Sequence, residues 1–369
     1  MTRARPLTLV FAGGGTGGHL YPALAIADEI RRRHHDARVV FVGTEGKIES
    51  RVVPARGYPL VKIWISGFRR RLGAETVLFP VKVVVALLQS AFLVWRTKPD
   101  VVIGTGGYVS GPVVAAAQML GRRTLLQEQN SVPGATTRML ASRADEVHVA
   151  FPGAGKYLRR KDNVRFTGNP TPDALADVGR EEGARFFGLD PGKKTLLVFG
   201  GSRGAATINA AIAPLAAELA AGGIQIIWQT GDEEFETLRR ISGAPREGVA
   251  MRPFIDRMEY AYAACDLAVC RSGATSLAEM ARAGVPSVLV PYPHAAAGHQ
   301  TENARAMVDA GAALLVPDAA AASLLGNAVR DLIHDGTRLR AMAEAARRLA
   351  APDAARELAD AVERLARMR

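Results

Sequence analysis

Cysteine is almost missing from this chain. Cys265 and Cys270 are the only two in 369 residues, with no histidine at ligand spacing. A disulfide scaffold and a cysteine-rich metal site are therefore excluded, and two buried small hydrophobes are expected. Aromatics make up 6% of the chain, and no basic helix is interleaved with stacking rings, so no nucleic-acid partner is expected. Residues 7–11 are too short for a signal-peptide core and run straight into glycines, which predicts a reducing, cytoplasmic setting. Acidic residues are outnumbered: 36 Asp and Glu against 47 Lys and Arg leave a formal charge of +11, which asks for an anionic partner such as a phosphorylated substrate or an anionic membrane surface.

Glycine is what the chain has in quantity, 37 residues, and it is most concentrated in VFAGGGTGGHLYPALAIA, residues 10–27. An apolar, β-branched run at 7–11 leads into six residues that are all glycine except Thr16. His19 follows, and then a helical pattern from Tyr21 to about Arg33, with Pro22 placed in its first turn. A strand feeding a glycine turn and a helix leaves N–H groups unpaired at the positive end of the helix dipole, where an anion or an electron-rich oxygen is welcome. Gly13, Gly15 and Gly18 also satisfy G-x-G-x-x-G. The acidic residue that a dinucleotide's ribose needs should end the second strand, at 39–42, but the only candidate is the late Glu45. A nicotinamide-dependent oxidoreductase is thus the lesser reading.

The length suggests two domains. Continuously apolar runs at 7–11, 39–42, 60–65, 101–104, 124–127 and 146–150 alternate with helical patterns, among them helices starting at Pro112 and Ala135. GNPTP, with Pro170 and Pro172, interrupts. A second series follows at 195–199, 224–229, 249–252, 267–270, 287–290 and 313–316, and its first run enters the glycine turn GGSRGA at 200–205. Apolar strands alternating with helices predict an α/β fold, two facing Rossmann-like domains with parallel sheets and a ligand cleft between them. Residues 72–95 are the most apolar stretch, flanked by Arg69, Arg70, Arg71, Arg96 and Lys98. Pro80, Lys82, Gln89 and Ser90 interrupt it too often for a membrane span, which leaves a buried helix or an element resting on an anionic bilayer surface.

Several stretches together carry a family resemblance: GGGTGGH at 13–19, GTGGYVSGP at 104–112, QEQN at 127–130, FPGA at 151–154, GNP at 168–170, GGSRGA at 200–205, PFIDRM at 253–258, CRSGATSLAE at 270–279 and HQTENA at 299–304. In order and spacing they resemble the MurG family of glycosyltransferases, and they cover both halves of the chain. The resemblance implies the glycosyltransferase B architecture, with residues 1–168 as an acceptor and membrane-facing domain, a final helix at 352–369 returning to it, and residues 169–351 as the UDP-GlcNAc domain. It implies transfer of N-acetylglucosamine from UDP-GlcNAc to lipid I, giving lipid II for the cell wall. The transfer would be inverting, with no cofactor and no metal, at the cytoplasmic face of the plasma membrane. The sequence agrees about the metal, since no D-x-D pair stands at a strand end. A related enzyme with another lipid acceptor, such as diacylglycerol, and a non-catalytic nucleotide-sugar binder are the alternatives.

Roles then attach to residues. The turn at 200–205 is expected to steady the departing diphosphate with backbone N–H groups, helped by Ser202 and Arg203. By resemblance Glu279 accepts the uridine ribose hydroxyls, and Ala274, Thr275, Ser276, Leu277 and Ala278 lie beside the donor. Ile255 offers backbone groups to uracil, Gln300 and Asn303 bond the sugar, and Asn130 reaches the donor from the other half, with Glu128 beside it as a possible partner for an arginine. An inverting transfer needs a base, and His19 is the candidate because an imidazole titrates near neutrality. Thr16, Gly17 and Gly18 line the acceptor diphosphate or donor sugar, and Gly106, Gly107 and Tyr108 form a second glycine turn suited to the acceptor. Where the family commonly has arginine, this chain has Pro172; Arg165 or Arg203 could compensate.

Overall fold

The computed structural model describes residues 5–67, 78–172, 175, 177–201, 204–242 and 246–368. Arg69, Arg70, Arg71, Ser202 and Arg203 lie outside the described residues. The chain forms two compact units, Met1–Pro170 with Asp353–Arg369, and Thr171–Pro352.

The first unit is built on β1 (Thr8–Gly13), β2 (Arg38–Gly43), β3 (Leu60–Lys62), β4 (Val101–Gly106), β5 (Arg123–Glu128), β6 (Glu146–Val149) and β7 (Val164–Phe166). They form one sheet in the order β3-β2-β1-β4-β5-β6-β7, with every pairing parallel. A parallel strand is covered on both faces, so its positions are mostly apolar. On β1, Leu9 and Phe11 point to one side, into a core with Leu20, Ile26 and Ile30 of helix Gly17–Arg33 and Leu358, Val362 and Leu365 of the C-terminal helix Ala354–Arg367. Val10 and Ala12 point to the other side, toward Val109 and Val113 of helix Gly107–Met119. Arg33 ties the C-terminal helix down through Asp360 and Glu363.

The second unit repeats the plan with β8 (Thr195–Phe199), β9 (Gln225–Gln229), β10 (Val249–Arg252), β11 (Leu267–Cys270), β12 (Ser287–Leu289) and β13 (Ala313–Leu315), ordered β10-β9-β8-β11-β12-β13 and again all parallel. Trp228, wholly buried, anchors this core and donates its indole N–H to Asn209 Oδ1 at 3.0 Å. Cys265 and Cys270 are free and buried, and burial holds both thiols well above their ordinary range.

Several expectations are corrected. The first helix starts at Gly17, not Tyr21: the Leu20 N–H already bonds the Thr16 carbonyl at 3.3 Å. Pro22 therefore sits in the second turn, where it removes the N–H that would have reached the Gly18 carbonyl. The helix placed at Pro112 starts at Gly107, and the strand placed at 60–65 ends at Lys62. Helix Phe79–Thr97 is not a buried helix, since only Ala86, Ser90 and Val94 along it are buried. That narrow stripe packs on the first unit, while Val84, Leu88, Phe92 and Trp95 stay open to solvent, the last three 65%, 59% and 62% exposed. By length and composition alone this helix could cross a membrane.

Candidate active site

In each sheet the helices after two neighbouring strands leave toward opposite faces, and the carboxyl ends of those strands are where open α/β sheets bind ligands. In the first unit these strands are β1 and β4, whose last residues, Gly13 and Gly106, are register partners. His19 lies in the first turn of the helix after β1, half-buried. Its carbonyl accepts from Thr105 Oγ1 at 2.7 Å, and its Nδ1 lies 2.9 Å from Gln129 Oε1. Gly106 and Gly107 face the ring: a methyl on Gly106 would stand 2.7 Å from Nδ1, and one on Gly107 would stand 3.2 Å from Cδ2. Gly106 also holds φ +99°, open to glycine and hardly to other residues. Gly106→Ala is therefore expected to cost about 1–3 kcal/mol of stability and to push the imidazole aside. Urea unfolding measured beside turnover checks this.

Tyr108 is held at the same edge, its ring over Gly15 and its hydroxyl 3.3 Å from Thr44 Oγ1. Thr16 and Gly18 are exposed and Gly17 half-buried, so the turn's backbone faces outward. Sequence reasoning missed what lies beneath it. Glu49 is wholly buried and accepts from the Gly15 N–H at 3.0 Å, the Thr44 N–H at 3.1 Å and Thr44 Oγ1 at 2.9 Å. The Gly15 N–H of the turn is therefore already taken by a side chain of the protein and is not left for a ligand oxygen. Glu45, the ribose candidate of the dinucleotide reading, instead reaches outward to Lys62 at 2.8 Å.

Among the described residues Glu128 pairs with no arginine. Buried, it accepts from the backbone N–H groups of Asn130 at 3.1 Å and Gly134 at 3.0 Å, and so shapes the loop that presents Asn130. Arg165, on β7, spends its guanidinium on the carbonyls of Asp162 and Val164.

In the second unit the corresponding strands are β8 and β11, with Phe199 and Cys270 as register partners. After β8 the chain folds back on itself so tightly that a methyl on Gly200 would come within 2.3 Å of the Ala205 nitrogen. Helix Ala206–Ala221 starts with no side-chain cap hydrogen bond and no acid in its own first turn, and the nearby Asp318 carboxylate accepts from Thr207 Oγ1 at 3.4 Å. Gln229, buried at the end of β9, braces this turn: Nε2 donates to the Gly201 carbonyl at 2.8 Å, and Oε1 accepts the Ile255 N–H at 2.8 Å. Of the two backbone groups expected to meet uracil at Ile255, the N–H is thus committed internally.

After β11, Ser272 donates to the Gln300 carbonyl at 2.7 Å, and helix Ala274–Ala283 starts uncapped at Gly273. Ala274 is buried at its start, Thr275 holds an enclosed hydroxyl without a partner among the described residues, and Ser276 and Ala278 are half-buried. The Leu277 side chain is in the interior, and its N–H bonds the Gly273 carbonyl at 3.0 Å. Glu279, one turn on, accepts from Tyr262 at 3.0 Å. Burial pushes its carboxyl up to about 7, against that hydrogen bond and with help from Glu259. Gln300 takes the Tyr292 N–H on Oε1 at 2.9 Å, leaving its amide nitrogen for another acceptor. Asn303 is wholly buried, and its Nδ2 donates to the Ser272 carbonyl at 3.3 Å.

Two parallel-sheet units, each with a glycine turn at its strand-order reversal, define the class by fold: two Rossmann-like α/β units, as in the glycosyltransferase B architecture. The glycosyltransferase family 28 N-terminal domain matches residues 9–149 and the family's C-terminal domain matches 195–359. A curated relative from Prosthecochloris aestuarii, 45% identical over 98% of this chain and 100% of its own length, is named UDP-N-acetylglucosamine–N-acetylmuramyl-(pentapeptide) pyrophosphoryl-undecaprenol N-acetylglucosamine transferase. One from Salinibacter ruber, 44% identical over 99% of this chain and 98% of its own, carries the same name. Among solved structures, Acinetobacter baumannii MurG is similar with a TM-score of 0.77 and 30% identity, covering 97% of this chain and 100% of that one. The chain belongs to glycosyltransferase family 28, in its MurG branch.

Proposed function

We propose that this protein transfers N-acetylglucosamine from UDP-GlcNAc to the muramyl sugar of lipid I, forming lipid II, with inversion and without a metal. The observation that carries this reading is near-complete alignment, at 45% identity, to relatives bearing that name, in a chain whose second unit sets an uncapped glycine turn and Glu279 at one strand edge. In the reaction an acceptor hydroxyl attacks the anomeric carbon on the face opposite UDP. The new C–O bond forms as the C–O bond to the diphosphate breaks, the hydroxyl proton passes to His19, and UDP leaves with the electron pair. The turn at 200–205, with Ser202 and Arg203, receives the developing charge. Glu279 accepts the ribose hydroxyls, the Ile255 carbonyl accepts from uracil, and Gln300 donates to the sugar. Ala274, Thr275, Ser276 and Ala278 line the donor, with Leu277 contributing packing only. Thr16, Gly17, Gly18 and Asn130, with Gly106, Gly107 and Tyr108, serve the acceptor side and the donor sugar. A transfer assay with radiolabelled UDP-GlcNAc and a short-chain lipid I analogue tests this. Label moving to diacylglycerol and not to the analogue would overturn it.

The lipid acceptor accounts for helix Phe79–Thr97. Its exposed stripe of Val81, Val84, Leu88, Phe92 and Trp95 recurs every three or four residues and is flanked by Arg96 and Lys98, the pattern of a helix lying in a bilayer surface. The enzyme then works as a peripheral protein on the cytoplasmic face of the inner membrane. Replacing Leu88 and Phe92 together by glutamate should lower binding to anionic vesicles by about 10-fold or more, from the lost apolar area, while turnover of a soluble acceptor holds. Vesicle sedimentation with the soluble assay alongside reads both.

A further inference from the structure

We propose that Gln129 is a positioning residue that fixes which nitrogen of His19 carries the proton, leaving Nε2 as the basic atom. The inference rests on the reading of His19 as the base. Gln129 is buried, and its amide is oriented by its surroundings: Nε2 lies 2.8 Å from the Thr105 carbonyl and 3.1 Å from the Gln127 carbonyl, and also bonds Gln127 Oε1. The two backbone carbonyls demand the NH₂ end there, because the reverse orientation would set oxygen lone pairs against oxygen lone pairs. Oε1 must then face His19 Nδ1, at 2.9 Å. An amide oxygen only accepts, so Nδ1 must donate, and the neutral imidazole carries its lone pair on Nε2.

Thr105 closes the arrangement from both sides. Its carbonyl holds the Gln129 amide while its hydroxyl holds the His19 carbonyl at 2.7 Å, and Gly106, lacking a Cβ, lets the ring lie against the backbone. The residue type matters. A carboxylate at this position would fix the same tautomer, but it would also stabilise the imidazolium, holding the proton that the base must release after each transfer. A neutral amide sets the geometry without that electrostatic trap.

The test uses the full chain labelled with ¹⁵N-histidine, with the His19 signals assigned by their loss in His19→Gln. At a pH where the ring is neutral, the wild type should show a protonated Nδ1 and a bare Nε2. Gln129→Met keeps the side chain's length and removes the acceptor. It should give a tautomer mixture and a kcat lowered about 10-fold or more, with the KM for UDP-GlcNAc within about twofold. A wild-type ring protonated on Nε2 would overturn the proposal, and this spectrum decides even if Gln129→Met fails to fold. An unchanged tautomer and kcat in a folded Gln129→Met would overturn it too. If instead the tautomer is as expected but His19→Ala turns over at the wild-type rate, the base reading fails and the assignment of the Gln129 contact stands.

Discussion

Replacing His19 by alanine is expected to lower kcat by about 10²–10⁴-fold, with the KM for UDP-GlcNAc within about threefold. The size follows from losing a positioned base in a step where the hydroxyl proton must leave as the glycosidic bond forms. The selectivity for kcat follows from where the side chain sits: His19 is placed by β1, Thr105 and Gln129, all in Met1–Pro170, whereas Glu279, Gln300 and the turn at 200–205 belong to Thr171–Pro352. The fold should tolerate the change, because the half-buried ring contributes to neither hydrophobic core of its unit. Thermal unfolding with and without UDP separates the effects, since a preserved donor site still raises the midpoint on binding. Turnover within a few-fold of wild type would remove His19 from the chemistry.

The parallel sheets were readable because strands covered on both faces are nearly continuous apolar runs, and 7–11 and 195–199 are apolar except for Thr8 and Thr195. β7 escaped notice for the converse reason: its three residues lie at a sheet edge with Arg165 and Phe166 exposed, so no apolar run marks it. The early start of the first helix was hidden by Gly17 and Gly18, which contribute no side chain to a helical period. At the candidate site, the glycine turns and His19 announce themselves locally. The amides that hold them do not. Gln129 meets His19 across 110 positions of sequence, and Gln229 meets Ile255 across 26, and a buried glutamine carries no signal of what its oxygen will accept. Glu49 is the same case: nothing near it in sequence shows that the fold will slide a carboxylate beneath the glycines at 14 and 15. In residues 72–95 the composition showed apolarity but could not say which side faces the sheet; Ala86, Ser90 and Val94 decide that by packing.

Glu279 gives the second large effect, and it depends on pH. Burial disfavours its charged form and, with the nearby Glu259, carries the carboxyl from its ordinary value near 4.5 up to about 7, and the hydrogen bond from Tyr262 only partly offsets this. Because the folded-state value lies above the unfolded one, the stability contributed by this group is fully present below about pH 4.5 and is lost as pH rises through about 7. Donor binding runs the opposite way. Ribose hydroxyls donate, so they select the carboxylate, and UDP must bind more tightly as pH climbs through the same window, releasing a proton when it binds below about 7. Glu279→Gln should raise the KM for UDP-GlcNAc by about 10- to 100-fold, since two hydrogen bonds to a charged acceptor become bonds to an amide with one acceptor oxygen. It should also abolish the pH dependence while leaving the fold intact, as the two side chains have nearly the same shape. Calorimetry in buffers of different ionisation enthalpy counts the proton directly: uptake or release that matches in wild type and Glu279→Gln would show that this carboxyl is not the ribose acceptor.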